Sequence, residues 1–139
     1  MASRRDLQRL ACLRLKEAEA LYSSDCYDGC AYLCGYVIEL GLKTAICSRL
    51  GVDDYPEKGS RLRDALRTHD FDDLKLLAGM NRAFESSANL LANWSLASEW
   101  TPERRYDPAG TFDQATAEAI LEAVRNYPDG ILACISTHW

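Results

Sequence analysis

The chain has 139 residues, enough for a sizeable core, and we expect residues 1–139 to form a single domain. Hydrophobic residues make up 47% of the chain and charged residues 27%, a balance that excludes a disordered protein. The net charge of −5 excludes a general attraction to nucleic acid, so binding of that kind requires a local basic patch.

The apolar segments of the chain predict its cellular location. The first residues, MASRRDLQRL, carry positive charge but are not followed by the apolar core of a secretory signal. No run approaches the roughly 18 apolar residues that a membrane span needs. We therefore expect a cytoplasmic protein that makes no contact with membranes.

Two long helices are predicted in the first half of the chain. Apolar residues at helical spacing predict an amphipathic helix over residues 6–22, opening after Ser3. Residues 23–25, Ser-Ser-Asp, end this helix and offer a cap to a second helix, which Gly51 terminates. Residues 51–60 contain glycines, a proline and charges, which predict a polar loop.

The second half of the chain predicts shorter helices separated by loops. In order, the pattern predicts a helical turn over 61–67, a helix capped by Asp70 and ending at 77, a helix over 81–98, a loop over 100–110, and a last helix from 111 that Pro128 breaks. The predicted fold class is therefore all-α, an up-and-down bundle of four to five main helices.

The second helix has two very different faces. Its polar residues fall within about 80° of one another around the helix axis, while small or apolar residues fill the opposite face. The polar residues are Asp28, Tyr32, Tyr36, Glu39 and Lys43, and the small or apolar ones are Cys30, Cys34, Val37, Gly41 and Ala45. Glu39 and Lys43 are four residues apart in the favourable order, so we expect an ion pair within the helix. Such a helix is typical of a bundle centre.

The six cysteines indicate packing rather than a disulfide framework or a metal site. Cys26, Cys30 and Cys34 recur at every fourth position, where side chains point in nearly parallel directions unsuited to a disulfide. No CxxC pair is present, so we expect no zinc site and no other metal. We interpret all six cysteines as small buried hydrophobic residues, with Cys12, Cys47 and Cys134 completing the set.

Three motifs, taken in order, resemble those of the HEPN family (higher eukaryotes and prokaryotes nucleotide-binding), in its bacterial single-domain form. They are YDGCAYLCGYVIELGLKTAI in the second helix, THDFDDLKLL after the loop, and ERRYDP after the fourth helix. The resemblance implies an all-α bundle that works as a homodimer and needs no cofactor. It also implies a role with RNA or nucleotides, or with a minimal nucleotidyltransferase as partner, in toxin–antitoxin or defence systems.

Active members of this family are metal-independent ribonucleases whose motif is an arginine and a later histidine with four to six residues between them. Here the resemblance places the arginine at Arg105, but residues 110–112 are glycine, threonine and phenylalanine. A histidine transfers protons near neutral pH, and general acid–base catalysis is worth about 10²–10⁴-fold. The missing histidine therefore predicts low or absent ribonuclease activity.

The loop arginines are the strongest candidates for a phosphate site. Arginine binds phosphate through two parallel hydrogen bonds and tyrosine stacks on bases, which selects Arg104, Arg105 and Tyr106, with Lys43 facing them. The structural alternative is that Arg105 pairs with a carboxylate such as Glu39 or Asp107 and ties the loop to the bundle.

A divergent nuclease would need other catalytic residues. The candidates for that role are Arg105, Glu39 and His69. His69 also has a structural interpretation, in which it helps to cap the next helix or packs against the first loop. The other histidine, His138, is next to the last residue and is expected on a frayed end.

The first helix carries several cations, which acidic neighbours dilute. The cations are Arg4, Arg5, Arg9, Arg14 and Lys16, and the acids among them are Asp6, Glu17 and Glu19. We interpret this mixture as a solvated helix face and not as a footprint for nucleic acid.

Three functional hypotheses follow from the sequence. The first is a non-catalytic module that binds a nucleotide, a nucleic acid or a partner protein. The second is a divergent metal-independent ribonuclease toxin. The third is a scaffold whose only activity is dimerisation.

Overall fold

The computed structural model describes residues 2–56 and 61–139, and these form the predicted all-α bundle. The helices are α1 (Arg4–Ser23), α2 (Tyr27–Leu50), α3 (Arg61–Leu66), α4 (Phe71–Leu77), α5 (Asn81–Phe84), α6 (Ala88–Ala97), α7 (Gln114–Arg125) and α8 (Ile131–Ser136). A 3₁₀ turn, Pro102–Tyr106, joins α6 to α7. In the described ranges the only β-type pairing is an isolated bridge between Ser3 and Asp54. Residues 57–60 of the predicted polar loop lie outside the described residues.

Helix α2 is the centre of the bundle, as its pattern predicts. It packs against α1, α4, α7 and α8, and thirteen of its residues are buried. Gly51 caps its carboxyl end in the left-handed conformation, where the Gly51 amide bonds to the carbonyl of Ser48. The predicted cap at its amino end is wrong: Cys26 occupies the cap position without a side-chain hydrogen bond.

The expectation about membrane spans needs correction for α2. By length and composition alone this helix could cross a membrane, since its most apolar window of 18 residues has a mean hydropathy of 1.3. However, 72% of that window is buried inside the bundle. Its apolar character therefore serves the core, since a helix that is hydrophobic on most sides needs neighbours to cover it.

Local capping explains where the other helices begin. The Ser3 hydroxyl accepts a hydrogen bond from the Asp6 amide (3.1 Å) and opens α1, as predicted. Asp70 caps α4 by accepting from the Asp73 amide (3.0 Å), which is also the predicted role. The last long helix, α7, begins slightly later than expected, because Asp113 is its cap. Pro128 separates α7 from α8, as its position predicts.

The predicted single helix over residues 81–98 is wrong. The chain forms α5 and α6 instead, with a break at residues 85–87. The Ser86 hydroxyl donates to the Ala83 carbonyl (2.7 Å), and the Ser87 hydroxyl accepts from the Leu90 amide (3.0 Å). Serine side chains that bond to nearby backbone groups compete with the helical pattern, and here they end one helix and start the next.

The cysteines follow the prediction only in part. All six are free, which agrees with the absence of a disulfide framework. Cys30, Cys34 and Cys47 are fully buried and Cys134 is half-buried, but Cys12 and Cys26 are exposed. The prediction that every cysteine packs in the core is therefore wrong for these two: Cys12 lies on the exposed side of α1, and Cys26 is exposed at the cap position before α2.

Gly41 allows α8 to approach α2 closely. A Cβ atom at this position would lie 3.3 Å from the Ile135 Cγ2 atom, and the Trp139 indole donates to the Gly41 carbonyl (3.1 Å). The small face of α2 thus receives the carboxyl-terminal helix, as the pattern predicts.

We predict that Gly41→Leu lowers the free energy of unfolding by about 1–3 kcal/mol, because the new side chain overpacks the contact with α8. Urea denaturation followed by circular dichroism measures this change. Ala20→Leu, on an exposed position of α1, is the matched control and should change stability by less than about 0.5 kcal/mol. Wild-type stability in Gly41→Leu would contradict the close packing of α8.

Candidate functional site

The tyrosines of α2 form the floor of the candidate site. The Tyr32 and Tyr36 hydroxyl groups are 3.1 Å apart, and the two rings meet edge to face with centroids 5.3 Å apart. Burial, followed by the hydrogen bond to Tyr32, raises the pKa of Tyr36 to about 12. The Tyr36 hydroxyl is therefore protonated near neutral pH and can donate a hydrogen bond.

Trp100 fixes the 3₁₀ turn to this floor. Its indole nitrogen donates to the Tyr32 carbonyl (2.9 Å), its ring meets the Tyr36 ring edge to face, and it stacks on Phe71 with an interplanar angle of 9°. A Cβ atom on Gly35 would lie 2.0 Å from the indole, so only glycine fits beneath the ring. The turn that follows Trp100 is therefore held in a defined place. The sequence analysis identified neither Trp100 nor Gly35.

Asp28 holds the far end of the same loop. Its two carboxylate oxygens accept hydrogen bonds from the Gly110 amide (2.6 Å) and the Phe112 amide (2.8 Å). Such charge-assisted bonds are stronger than neutral ones. The loop over residues 101–112 is thus fastened to α2 at both ends. From the sequence, the only indication that Asp28 anchors this loop was its position in the first turn of α2, which has no side-chain cap.

Arg104 and Arg105 lie between these two anchors, where Arg105 is exposed and Arg104 is half-buried. The Arg104 guanidinium lies 5.1 Å from the centre of the Phe112 ring, and that of Arg105 lies 4.7 Å from the Tyr106 ring. Hydrogen bonding to Tyr106 is the largest of the effects that raise the pKa of Arg105. The Tyr106 side chain is itself highly exposed.

The Arg105 side chain has weak partners of its own. It donates to the Pro102 carbonyl (3.3 Å) and approaches the Glu103 carboxylate at 4.0 Å, where both side chains are exposed to water. An ion pair of this kind adds little to stability. In the described residues no ion pair joins Arg105 to Glu39 or Asp107, which the structural alternative had proposed. The guanidinium is therefore available to an external anion.

A cavity of about 250 Å³ opens beside the two arginines. It has cations and aromatic rings in its wall, and one of its two carboxylates, that of Asp28, is already occupied by backbone amides. The lining residues are Asp28, Gly29, Tyr32, Arg104, Arg105, Asp107 and Phe112. We call this cavity the arginine cavity.

Glu39 forms a second polar cluster on α2. The residue is only 3% exposed, and its Oε1 atom lies 3.0 Å from Lys43 Nζ and 2.6 Å from His69 Nδ1. Its Oε2 atom has no hydrogen-bond partner among the described residues. The predicted Glu39–Lys43 ion pair is therefore present, and it includes a histidine 30 positions further along the chain.

His69 does not take the capping role, which was one of its two structural interpretations. Asp70 caps α4, and the Asp70 amide bonds to Thr68, so the imidazole of His69 takes no part in capping. Its side chain is 58% exposed. It lies at the edge of a second cavity of about 250 Å³, lined by His69, Asp70, Phe71, Asp72, Ser98, Trp100, Thr101 and Pro102.

The candidate residues thus fall into two groups on the same side of α2. Arg104, Arg105 and Tyr106 share the 3₁₀ turn, whereas Lys43 belongs with Glu39 and His69 and does not reach the turn as a direct partner. Tyr36 connects the two groups electrostatically, because Glu39 raises its pKa and Arg105 lowers it. His138 lies apart, bonded to Thr137 near the end of the chain.

No metal site competes with this interpretation in the described part of the chain. No group of three or more histidine, cysteine, aspartate or glutamate residues is placed there to hold a metal ion.

Comparison with known protein families identifies the fold. The model of the HEPN domain matches residues 5–127, which include both polar groups of the site. The chain belongs to the HEPN family. No curated protein and no solved structure matches the chain. Membership makes this HEPN domain a nucleotide- or RNA-related module at the level of the family.

We predict that Gly35→Ala displaces Trp100 and the 3₁₀ turn, because the added methyl group would overlap the indole. The expected loss of stability is about 1–3 kcal/mol or more, with a red shift of tryptophan fluorescence as Trp100 meets water. Gly29→Ala is the matched control, since its Cβ atom meets only the flexible end of Leu21 at 3.1 Å. An unchanged emission spectrum in Gly35→Ala would contradict the close contact.

Proposed function

We propose that this HEPN domain is a non-catalytic module that binds a nucleotide or an RNA strand at the arginine cavity. The observation that carries the proposal is the pair of guanidinium groups on the 3₁₀ turn, each of which lies over an aromatic ring and lines the cavity. Arginine binds phosphate through two parallel hydrogen bonds, and its planar group keeps its charge at any physiological pH.

The surroundings of the two arginines favour an anionic, aromatic ligand. Tyr32 and Phe112 line the arginine cavity and offer ring surface to a base, while Tyr106 is exposed on the turn beside Arg105. Asp28 lies in the same wall, but its charge is directed at two backbone amides of the loop. A phosphate therefore meets little opposing negative charge from that residue.

The loop also explains why the module should be non-catalytic. The family's ribonuclease motif places a histidine where this chain has residues 110–112. Here the amides of Gly110 and Phe112 serve as anchors to Asp28, and no side chain at these positions can transfer a proton. The loop is thus built to hold its arginines in place.

We predict that Arg105→Ala weakens the binding of adenosine monophosphate and of short single-stranded RNA by at least about tenfold. The reason is the loss of a charged hydrogen bond, worth about 1.5–3 kcal/mol. Isothermal titration calorimetry measures the affinity for the nucleotide, and fluorescence anisotropy measures that for RNA. Arg104→Ala should weaken both ligands in the same direction.

The matched control is Arg14→Ala on α1, where Arg14 pairs with Glu17 at 2.8 Å, away from the loop. It removes the same charge and should leave both affinities within about twofold, since single surface substitutions have small effects. Equal loss of binding in Arg14→Ala and Arg105→Ala would contradict a specific site at the turn.

A specific observation also supports the divergent ribonuclease as a second candidate. The hydrogen bond between Glu39 and His69 Nδ1 orients the imidazole, whose exposed side borders the second cavity. This is the arrangement by which a carboxylate positions a catalytic histidine. His69 would take the 2′-hydroxyl proton as the 2′-oxygen bonds to phosphorus and the 5′-oxygen leaves, and Arg105 would stabilise the negative charge that develops on the phosphoryl oxygens.

The two candidates predict different results with RNA. The non-catalytic module predicts no cleavage of transfer RNA or total RNA above buffer, with or without EDTA. Robust cleavage that resists EDTA and is lost in His69→Ala, Glu39→Gln and Arg105→Ala would overturn it in favour of the ribonuclease. Cleavage retained in all three variants would indicate a contaminating nuclease, and gel electrophoresis of labelled RNA distinguishes these outcomes.

We further propose that the domain acts in the cytoplasm as a homodimer, in a toxin–antitoxin or defence system with a minimal nucleotidyltransferase as partner. The exposed aromatic residues that could form a dimer interface are Tyr106 and Tyr127, which is 89% exposed. Trp94 and Trp100 are buried and contribute nothing to such an interface. A scaffold that only dimerises would share this property but would bind neither nucleotide nor RNA.

We predict twice the monomer mass in light scattering at micromolar concentration, because family members of this kind pair through their bundles. Tyr127→Ala and Tyr106→Ala should each be compared with the wild type, since loss of the dimer in one of them would locate the interface. A monomeric mass at these concentrations would contradict the homodimer.

A further inference from the structure

We infer that the outer face of α1 is a second contact surface for the phosphate backbone of RNA, formed by Arg5, Arg9 and Lys16. We call these three residues the α1 stripe. The inference rests on the proposed binding of RNA, and it extends that binding to a strand longer than one nucleotide.

The three cations of the α1 stripe form a nearly straight line. At 100° per residue their directions differ by no more than about 40°, and they span about 16 Å along the helix axis. All three side chains are exposed. None of them has an ion pair or a side-chain hydrogen bond in the described part of the chain.

The acidic residues of α1 do not neutralise the stripe, contrary to the interpretation of this helix from its sequence. Glu17 is bonded to Arg14 at 2.8 Å, and Glu19 is bonded to Arg125 of α7 at 3.3 Å. The Asp6 carboxylate accepts a hydrogen bond from the Ser3 hydroxyl (2.7 Å) at the helix start, and the Asp6 amide donates to the same hydroxyl. The charges that appear mixed along the sequence are thus separated in space.

Two further acidic residues lie near the beginning of α1. The Asp53 carbonyl accepts from the Arg4 amide (2.6 Å), and Asp54 pairs with Ser3 through the isolated bridge. Both contacts are made through the backbone, and neither carboxylate forms an ion pair with Arg5 among the described residues. Their negative charges weaken the positive potential around Arg5 in the first turn, but they do not neutralise Arg9 and Lys16.

The stripe is unfavourable for the helix that carries it. Arg5 lies in the first turn, where the helix dipole disfavours positive charge. Arg5 and Arg9 are four residues apart, a spacing at which like charges destabilise a helix by about 0.2–0.5 kcal/mol. Stability of the folded domain therefore does not account for this arrangement, whereas an external polyanion does.

RNA fits the stripe better than a protein or a lipid surface does. Leu13 is the one large apolar residue of α1 that is markedly exposed in the described structure, at 45%. A protein interface needs an apolar centre, and a helix that lies on a membrane needs a broad apolar face. Contacts to phosphates need only a row of cations along the strand.

The test measures how salt affects RNA binding. An oligouridine of about 20 nucleotides is titrated between about 50 and 200 mM salt with the full chain and with the variant Arg5→Gln, Arg9→Gln, Lys16→Gln. Each phosphate contact on a single strand contributes about 0.7 to the slope of log affinity against log salt. Loss of three contacts should therefore reduce the slope by about 2.

The matched control removes the same net charge from other faces, through Arg14→Gln, Arg67→Gln and Arg82→Gln. Arg14 lies on the opposite side of α1, and the wild-type slope should be retained in this control. Adenosine monophosphate carries a single phosphate, and no stripe residue lines the arginine cavity, so its affinity should be unchanged in the stripe variant. Circular dichroism of both variants verifies that they are folded.

The results separate this inference from the proposed function. An unchanged slope in the stripe variant, or an equal reduction in the control, overturns the α1 stripe while leaving the Arg105 site intact. If Arg105→Ala loses nucleotide binding while the stripe variant keeps the wild-type salt slope, the α1 stripe is likewise overturned and the Arg105 site is retained. Binding of vesicles of anionic lipid that depends on the stripe, with no change for RNA, would also overturn the inference. A slope reduced by about 2 in the stripe variant alone supports it.

Discussion

The contact between the Trp100 indole and Gly35 is the interaction on which the candidate site depends. The absence of a side chain at Gly35 lets the indole lie directly on the backbone of α2, where it donates to the Tyr32 carbonyl. Because the indole is also stacked on Phe71, it connects α4 and the 3₁₀ turn to the central helix. Arg104 and Arg105 follow within five residues, so their positions derive from this contact and from the second anchor at Asp28.

The buried carboxylate of Glu39 imposes a separate constraint. A charge in the core requires partners, and Lys43 and His69 both direct a nitrogen to the same oxygen atom. The residue joins α2 to the segment before α4 and gives His69 a fixed orientation at an exposed edge. The domain therefore has two polar groups of different chemistry, a turn that carries two arginines and an oriented histidine. Which of them dominates decides between a binding module and an enzyme.

The features that the sequence predicted well are those set by neighbouring residues. Ser3 and Asp70 cap their helices through amides three positions away, and Gly51 terminates α2. The residue pattern of α2 predicted that it is the central helix, and the burial of thirteen of its residues confirms this. The error over residues 81–98 was also local. The apolar spacing continues through this range, and it outweighed the serines at 86 and 87, which are residues that favour helix ends.

The sequence by itself determined the all-α class, the HEPN family and the residue types available for chemistry. Only the tertiary structure decided which of those residues meet. Glu39 and His69 are 30 positions apart, and Asp28 and Gly110 are 82 apart, so no local pattern relates them. The same holds for α1, where Glu19 forms an ion pair with Arg125 of α7 and with no cation of the α1 stripe. The physical reason is that helical spacing fixes which face a side chain occupies, whereas the packing of helices fixes what that face touches.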